Sequence, residues 1–149
     1  SDVDFNFYKN TIEINAEIVS PIADYAFNYY RYKLEGVFYD NRGNLINKIK
    51  VIPRRENDRV FSGVIFVVED QWSLYGLELS VTGSQIQTPA ANLVTIKQNT
   101  SYDEQSNYWI VRSQTIEFEY GFLGFKGDGS FVANYSNYKL DQPFHQQDF

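Results

Sequence analysis

The chain lacks or nearly lacks several residue types, and each absence excludes a class of site. It contains no cysteine, which excludes disulfide bonds and thiolate metal sites. Its single histidine, His145, stands in QPFHQQDF near the end of the chain, so we expect neither a zinc site nor a Ser-His-Asp triad. The longest apolar run, Val64 to Val68, is far shorter than the ~20 residues of a membrane-spanning helix.

Methionine is also absent, even at position 1. We therefore expect a mature product or an excised fragment of a larger protein, from which any signal peptide has gone. The missing cysteine leaves the compartment open, because such a chain suits an oxidising or a reducing environment. With only four prolines and nine glycines there is no room for a long flexible linker, and residues 1–149 are predicted to form one domain.

Aromatic residues, in contrast, are abundant. The chain contains 12 tyrosines, 12 phenylalanines and 2 tryptophans, or 17% of its residues. Such rings favour strands, where a flat side chain packs well on a pleated surface. With 43% hydrophobic and 21% charged residues, the composition is that of a folded globular protein.

Charge is distributed unevenly along the chain. The net charge is −6, but residues 1–59 hold nine basic and nine acidic side chains, and residues 60–149 hold four and ten. An acidic protein does not attract nucleic acid as a whole, so only a local basic patch could do so. We predict no nucleic-acid partner, because the one basic cluster contains Glu56 and Asp58 and no RNA-binding signature surrounds it.

Hydrophobic periodicity predicts a mainly β fold. SPIADYAF predicts a short helix near residues 21–28, with Ser20 as its N-cap and Pro21 at its first position. After it the period becomes two, and the predicted strands cover residues 30–38, 45–52, 60–69, 73–83, 92–100, 107–120 and 130–140. DNRGN (40–44) and KGDG (126–129) are predicted turns, and Pro53 ends its strand. The result is a curved antiparallel meander of six to eight strands with one short N-terminal helix.

Alternation along the strands also predicts which side chains share a face. Tyr30, Tyr32, Leu34, Gly36 and Phe38 are predicted to lie on the buried face of the first of these strands.

In the strand over 73–83 the same alternation groups Tyr75 with Leu77, Leu79 and Val81.

The basic cluster in NKIKVIPRRENDRVFSG (47–63) is one candidate binding site. Five cations are candidates for an anionic contact: Lys48, Lys50, Arg54, Arg55 and Arg59. The alternative is the solvated margin of two strands joined after Pro53, which is the more usual role of exposed charges.

Aromatic side chains are the other candidates for ligand contact. Trp72 lies at a predicted turn, and Tyr75 and Trp109 lie on predicted strands. Exposed rings of this kind could stack on sugars, although burial in the core is expected for at least one tryptophan.

Catalysis is not expected. Glu117 and Glu119 share one strand face about 7 Å apart, the two-residue repeat, but this is also the pattern of any solvated strand. No metal-ligand spacing is present, so we predict no metal, no cofactor and no enzymatic activity.

Six stretches of the sequence resemble a Bacteroidetes family of outer-membrane-associated proteins of unknown function. They are NFYKN (6–10), SPIADYAFNYYRYKLEG (20–36), INKIKVIPRRENDRVFSG (46–63), DQWSLYGLELSVTG (70–83), TIKQ (95–98) and GFKGDGSF (124–131). The resemblance implies a large extracytoplasmic protein with a carboxypeptidase-regulatory-like domain near its N-terminus and a barrel towards its C-terminus.

KVIPRRENDRVFSGVIFVVEDQWSLYGLEL is also similar to a pattern in periplasmic lipoprotein carriers. This local likeness implies a half-barrel, a curved sheet folded around helices that holds acyl chains in its hollow.

Two functions follow from these patterns. The first is a non-catalytic accessory or binding module of an outer-membrane-associated protein, located in the periplasm or at the outer membrane. The second is a carrier-like cradle that binds an acyl chain or another apolar ligand. The expected partner is the rest of the same polypeptide, a barrel or a neighbouring domain, with lipid or an envelope glycan as candidate ligands.

Overall fold

The computed structural model of the chain describes residues 5–122 and 125–127, with side chains described up to residue 120. These residues form nine strands and one short 3-10 helix. The strands are β1 (Thr11–Glu13), β2 (Glu17–Val19), β3 (Tyr30–Tyr39), β4 (Leu45–Pro53), β5 (Ser62–Val68), β6 (Ser73–Thr82), β7 (Ala91–Asp103), β8 (Tyr108–Phe122) and β9 (Phe125–Gly127). The helix is Ala26–Asn28.

Strands β3 to β9 form one antiparallel sheet in which each strand pairs with its neighbours in the chain. The prediction of a mainly β antiparallel meander is therefore confirmed. Within the described residues the sheet is open, with β3 at one edge and β9 at the other. Strands β1 and β2 form a separate two-stranded hairpin that the periodicity did not predict. The predicted strand over 130–140 and His145 lie outside the described residues, and Lys126 and Gly127 of the predicted KGDG turn end β9.

The predicted DNRGN turn is confirmed. Gly43 has a φ of +84°, the left-handed conformation that glycine adopts without steric cost. The Asp40 carboxylate accepts hydrogen bonds from the backbone N–H groups of Arg42 (2.9 Å) and Asn44 (2.8 Å), which closes the connection between β3 and β4. Pro53 is the last residue of β4, as predicted.

Two faces of the sheet have different roles. The inner face packs against the N-terminal segment 5–29 and forms the main core. Its side chains include Val51, Ile65, Leu77, Leu79 and Ile96. The outer face carries a smaller cluster built on Ile46, Val68 and Trp109.

β-bulges correct the predicted faces. In the β5–β6 ladder Phe66 pairs with Gly76 and Val67 with Leu74, so Tyr75 is an extra residue. Tyr75 therefore packs in the outer-face cluster, and the prediction that it shares a face with Leu77, Leu79 and Val81 is wrong.

A second bulge, at Glu35, has the same effect in β3. Leu34 pairs with Ile49 and Gly36 with Lys48. Beyond this bulge the side chains change face, so Phe38 contacts the outer-face ring of Tyr75 at 6.0 Å between centroids. Phe38 does not share the face of Tyr30 and Tyr32, because the extra residue reverses the alternation.

The predicted N-terminal helix is shorter than the sequence indicated. Residues 21–25 form turns, and only Ala26–Asn28 are helical. Several N–H groups between residues 23 and 29 bond to carbonyls three residues earlier, as in Ala23 to Ser20 at 3.1 Å, which is the 3-10 pattern rather than the α pattern. The buried Ser20 hydroxyl also donates to Phe7 O at 2.7 Å, and this long-range bond ties the turn to the preceding segment.

Buried polar side chains fasten the N-terminal segment to the inner face. Gln114 of β8 bonds both backbone groups of Phe5, the first residue that the structure describes. The Tyr30 hydroxyl donates to Val19 O at 2.5 Å and accepts from Phe61 N at 2.8 Å. These bonds fix the segment as a cover across the sheet, because a buried backbone group without a partner would be costly.

Candidate functional site

An apolar groove of about 460 Å³ lies on the inner face, between residues 21–27 and strands β3 to β6. One wall comes from the turns and the helix, and the other from the sheet. The lining residues are Pro21, Ile22, Ala23, Ala26 and Phe27 on the first wall, and Tyr32, Ile49, Ile65, Val67, Trp72 and Leu74 on the second. We refer to this hollow as the inner groove.

Strand register explains the sheet wall of the inner groove. Ile49 pairs with Ile65, and Ile65 pairs with Leu77, so the three side chains point to the same face. The N-terminal segment covers Leu77 completely but leaves Ile49 half-buried. The groove therefore exists because the covering segment is narrower than the apolar face beneath it.

Two of the aromatic side chains that line the inner groove are largely exposed. Phe27 is 74% exposed, and Trp72 is 69% exposed. Trp72 lies in the turn between β5 and β6 with a φ of +55°, and its N–H donates to Val68 O at 3.2 Å. Large rings exposed beside an apolar hollow are a feature of binding surfaces.

The apolar surface continues from the groove onto β3. Leu34 and Val37 are 60% and 54% exposed, and they pair with Ile49 and Asn47 of β4. Since Leu34 lies beside the half-buried Ile49, the open part of the inner face extends to the edge of the sheet.

Tyr32 is the main polar group in the wall of the inner groove. Its hydroxyl donates to Pro21 O at 2.7 Å, and its ring meets the Phe27 ring edge to face at 5.5 Å. Burial raises the pKa of Tyr32 to about 12, and the nearby Arg54 charge opposes this rise. The hydroxyl is therefore neutral and holds the helical segment against the sheet.

The five basic candidates do not form one cluster. Lys48 and Lys50 lie on the outer face of β4, where Lys48 approaches Glu35 at 3.9 Å and Lys50 lies opposite Lys33. The three arginines lie in the connection from β4 to β5.

Two of these arginines bond to the end of the 3-10 helix. Arg54 Nε donates to Phe27 O at 2.7 Å. Arg55 Nη2 donates to Asn28 O at 3.0 Å, and its Nε donates to Asp58 at 2.8 Å. Cationic groups stabilise the free carbonyls at the end of a helix. The Arg59 side chain is exposed. Arg54 therefore stands out among the five cations, because its bond to Phe27 joins it to a residue of the inner groove.

The structure separates the three aromatic candidates. Trp72 lies at the inner groove, whereas Tyr75 and Trp109 lie on the outer face with ring centroids 5.6 Å apart. Trp109 is only 1% exposed and donates through Nε1 to Gln71 at 2.7 Å, so the expected burial of one tryptophan is confirmed. The contacts of these rings with a ligand stay predictions.

The acidic pair Glu117 and Glu119 lies on the outer face of β8. Glu117 forms an ion pair with Lys97 of β7 at 3.1 Å, which is the ordinary role of a charge on a solvated strand. In the part of the chain that the structure describes, no group of three His, Cys, Asp or Glu side chains is placed to hold a metal ion.

A second hollow, of about 570 Å³, lies at the other side of the β4–β5 connection. Its walls include Pro53, Glu56, Ser62, Thr82 and Gln85, so it is more polar than the inner groove.

Among the described residues, no helix is long and apolar enough to cross a membrane.

Sequence reasoning missed most residues of the inner groove. It identified Trp72, and Arg54 beside the groove, but assigned Ile49 and Ile65 only to strands. The sequence did contain a signal for the groove. The apolar segment PIADYAF is short, and the strands carry more apolar side chains than a segment of this length can cover.

Comparisons with known proteins give one result. A search of curated proteins and a search of solved structures gave no match. The family of unknown function DUF5686 matches residues 1–138, which is most of the chain. The chain therefore belongs to the DUF5686 family of unknown function.

Proposed function

We propose that this chain is a non-catalytic binding module that holds an acyl chain or a similar apolar ligand in the inner groove. The observation that carries the proposal is the groove itself. Its volume of about 460 Å³ lies within the roughly 300–1,000 Å³ of small-molecule sites, and its walls are almost entirely apolar. Apolar walls suit a hydrocarbon chain, since they offer no polar group that the chain would leave unpaired.

Burial of a hydrocarbon chain gives enough free energy for measurable binding. Each buried methylene contributes about 0.8 kcal/mol, so ten of them contribute about 8 kcal/mol before the cost of ordering the ligand. A site open to solvent on one side buries the chain incompletely. Because about 8 kcal/mol corresponds to a dissociation constant of about 1 μM, these two losses lead us to expect dissociation constants well above that value.

The charge arrangement supports binding without catalysis. Glu117, one member of the acidic pair, is neutralised by Lys97, and both lie on the face opposite the groove. Among the described residues that line the groove, the only titratable group is Tyr32, whose pKa of about 12 keeps it neutral near pH 7.

We further propose that the module acts in the cell envelope as one part of a larger outer-membrane-associated protein. This part of the proposal is supported by the six sequence blocks that resemble envelope proteins. The Bacteroidetes origin, the carboxypeptidase-regulatory-like domain and the barrel belong to the same proposal. Membrane fractionation of cells that express the full-length gene with a C-terminal tag tests the location, and recovery in the cytosol would contradict it.

Ligand binding can be tested through the fluorescence of Trp72. Titration with dodecanol should shift its emission to shorter wavelength, because the chain displaces water from an indole that is 69% exposed. The substitution Ile49→Phe should weaken binding at least fivefold, because the larger side chain fills the groove at a half-buried position.

The matched control introduces the same side chain on the other face. Val64 pairs with Lys50 and Glu78 on the outer face of β5, so Val64→Phe should leave dodecanol binding unchanged. Native mass spectrometry of the purified protein provides a second readout, in which copurified lipid supports the proposal. Equal affinities for wild type and Ile49→Phe, or no dodecanol binding at all, would contradict it.

A further inference from the structure

The two ends of the inner groove differ in charge. At one end Phe27 and Tyr32 lie beside Arg54. At the other end Trp72 also lines a small hollow of about 110 Å³ together with Glu69 and Asp70. We refer to these as the arginine end and the acidic end. An apolar channel with opposite charges at its ends can fix the direction of an amphiphilic ligand.

Arg54 is held at the arginine end by the backbone. Its Nε donates to Phe27 O at 2.7 Å, and this bond places the guanidinium against a residue of the groove wall. No described residue accepts a hydrogen bond from its two Nη groups, and the side chain is exposed. The Nη edge of a guanidinium is the geometry that binds a carboxylate through two parallel hydrogen bonds.

The length of the groove suits a chain that runs along β4. Tyr32 at the arginine end pairs with Val51, and Val67 near the acidic end pairs with Asn47. Four residue steps along a strand span about 13 Å. A ligand with its head at Arg54 can therefore extend its tail past Ile49 to Trp72.

We propose that the ligand of the inner groove is a fatty acid, with its carboxylate bound by the Nη groups of Arg54 and its tail directed to Trp72. This inference rests on the proposed function, and it adds the class of ligand and its direction. The reverse direction would place the carboxylate beside Glu69 and Asp70, where like charges repel. A cationic head group would be repelled at the arginine end in the same way.

Three ligands with the same tail separate the head-group assignment from binding itself. Dodecanoate, dodecanol and dodecylammonium are titrated at pH 8 and 0.15 M salt, with Trp72 emission as the readout. A fatty carboxyl group with an ordinary pKa is ionised at this pH. A charge-assisted hydrogen-bonded pair should favour dodecanoate over dodecanol by about tenfold. Dodecylammonium should bind more weakly than dodecanoate.

The substitution Arg54→Gln should remove the preference for dodecanoate, measured as the ratio of the dissociation constants of dodecanol and dodecanoate, which does not depend on full retention of dodecanol affinity. Arg59→Gln is the matched control, because it removes the same charge from the same connection but lies away from the groove lining. It should retain the full preference. Arg54→Lys should retain part of the preference, since it keeps the charge and loses the two parallel hydrogen bonds.

The outcomes distinguish the two proposals. If dodecanol and dodecanoate bind equally to the wild type, the groove binds apolar chains but the assignment of Arg54 is wrong. The same conclusion holds if Arg54→Gln weakens both ligands equally, because Arg54 would then only shape the groove through Phe27. If none of the three ligands binds, the proposed function and this inference both fail.

Discussion

Gln114 connects the N-terminal segment to the inner face at the β8 side of the sheet, and its removal tests whether this segment is fastened as the structure shows. Its Nε2 donates to Phe5 O and to Gln98 Oε1, both at 2.7 Å, and its Oε1 accepts from Phe5 N at 3.1 Å. The residue is 1% exposed, so water does not replace these partners in the folded state. The substitution Gln114→Ala should therefore destabilise the fold.

The expected magnitude follows from the three bonds. Each buried hydrogen bond contributes about 1 kcal/mol net, and a buried backbone group left without a partner costs about 1–3 kcal/mol. Alanine leaves both backbone groups of Phe5 and the Gln98 oxygen without their partner. Partial entry of water into the space reduces the loss, so we expect a decrease of about 3 kcal/mol in the free energy of unfolding. This is a large share of the roughly 5–15 kcal/mol of a typical domain.

Equilibrium unfolding in urea, followed by the fluorescence of the buried Trp109, measures this change. Gln105→Ala is the matched control, because Gln105 is an exposed residue of the turn between β7 and β8. It should change the free energy of unfolding by less than about 0.5 kcal/mol. A loss below about 1 kcal/mol for Gln114→Ala would refute the reasoning, since the Phe5 backbone would then have to be satisfied without Gln114.

Three further changes test other parts of the structure. Tyr30→Phe removes the hydroxyl that bonds to the backbone of Val19 and Phe61, and it should lower the free energy of unfolding in urea by about 2 kcal/mol. Tyr39→Phe, at an exposed site, should leave this free energy almost unchanged. Equal effects of the two substitutions would contradict the assignment. Burial raises the pKa of Tyr8 to about 12 against about 10 in the unfolded chain, so the stability that this neutral phenol contributes should be complete below pH 10 and fall by up to about 2–3 kcal/mol as the pH rises to 12. This loss adds to those from the other buried tyrosines, such as Tyr32. Tyr8→Phe should have a smaller alkaline loss in urea midpoints, and an identical loss would contradict the burial of this phenol. Gly63→Ala should lower the melting temperature strongly, because its Cβ would lie 2.1 Å from Glu78 O at a φ of +142°; an unchanged melting temperature would contradict this close approach.

Local sequence patterns predicted the strands with good accuracy. The alternation over residues 30–34 follows from the two-residue period of a strand, and the apolar run Val64–Val68 is typical of a strand inside the sheet. DNRGN contains the turn chemistry for a tight connection. Strand β4 ends at Pro53 because proline cannot donate to a ladder. These features depend on residues close together in the chain, so they can be read without the fold.

The errors arose where one residue interrupts the alternation. The bulges at Glu35 and Tyr75 reverse the faces of Phe38 and Tyr75, and no residue type marks them in the sequence. A bulge is a property of the pairing of two strands rather than of either strand alone. The length of the short helix was overestimated although the Ser20 hydroxyl accepts from the Ile22 N–H at 3.3 Å, as a cap would, because residues 21–25 form turns instead of continuing into an α-helix.

The sequence by itself determined the mainly β class, the order of the meander, the absence of cysteine sites and the candidate residues Trp72 and Arg54. Only the tertiary structure decided that these two residues stand at opposite ends of one apolar groove, while Trp109 is buried and the two lysines lie on the other face. The physical reason is that a strand pattern predicts which side chains share a face only between bulges, whereas a groove depends on how much of that face another segment covers. Here the cover is the N-terminal segment, fastened by Gln114, Tyr30 and Tyr32 through contacts with residues distant in the chain.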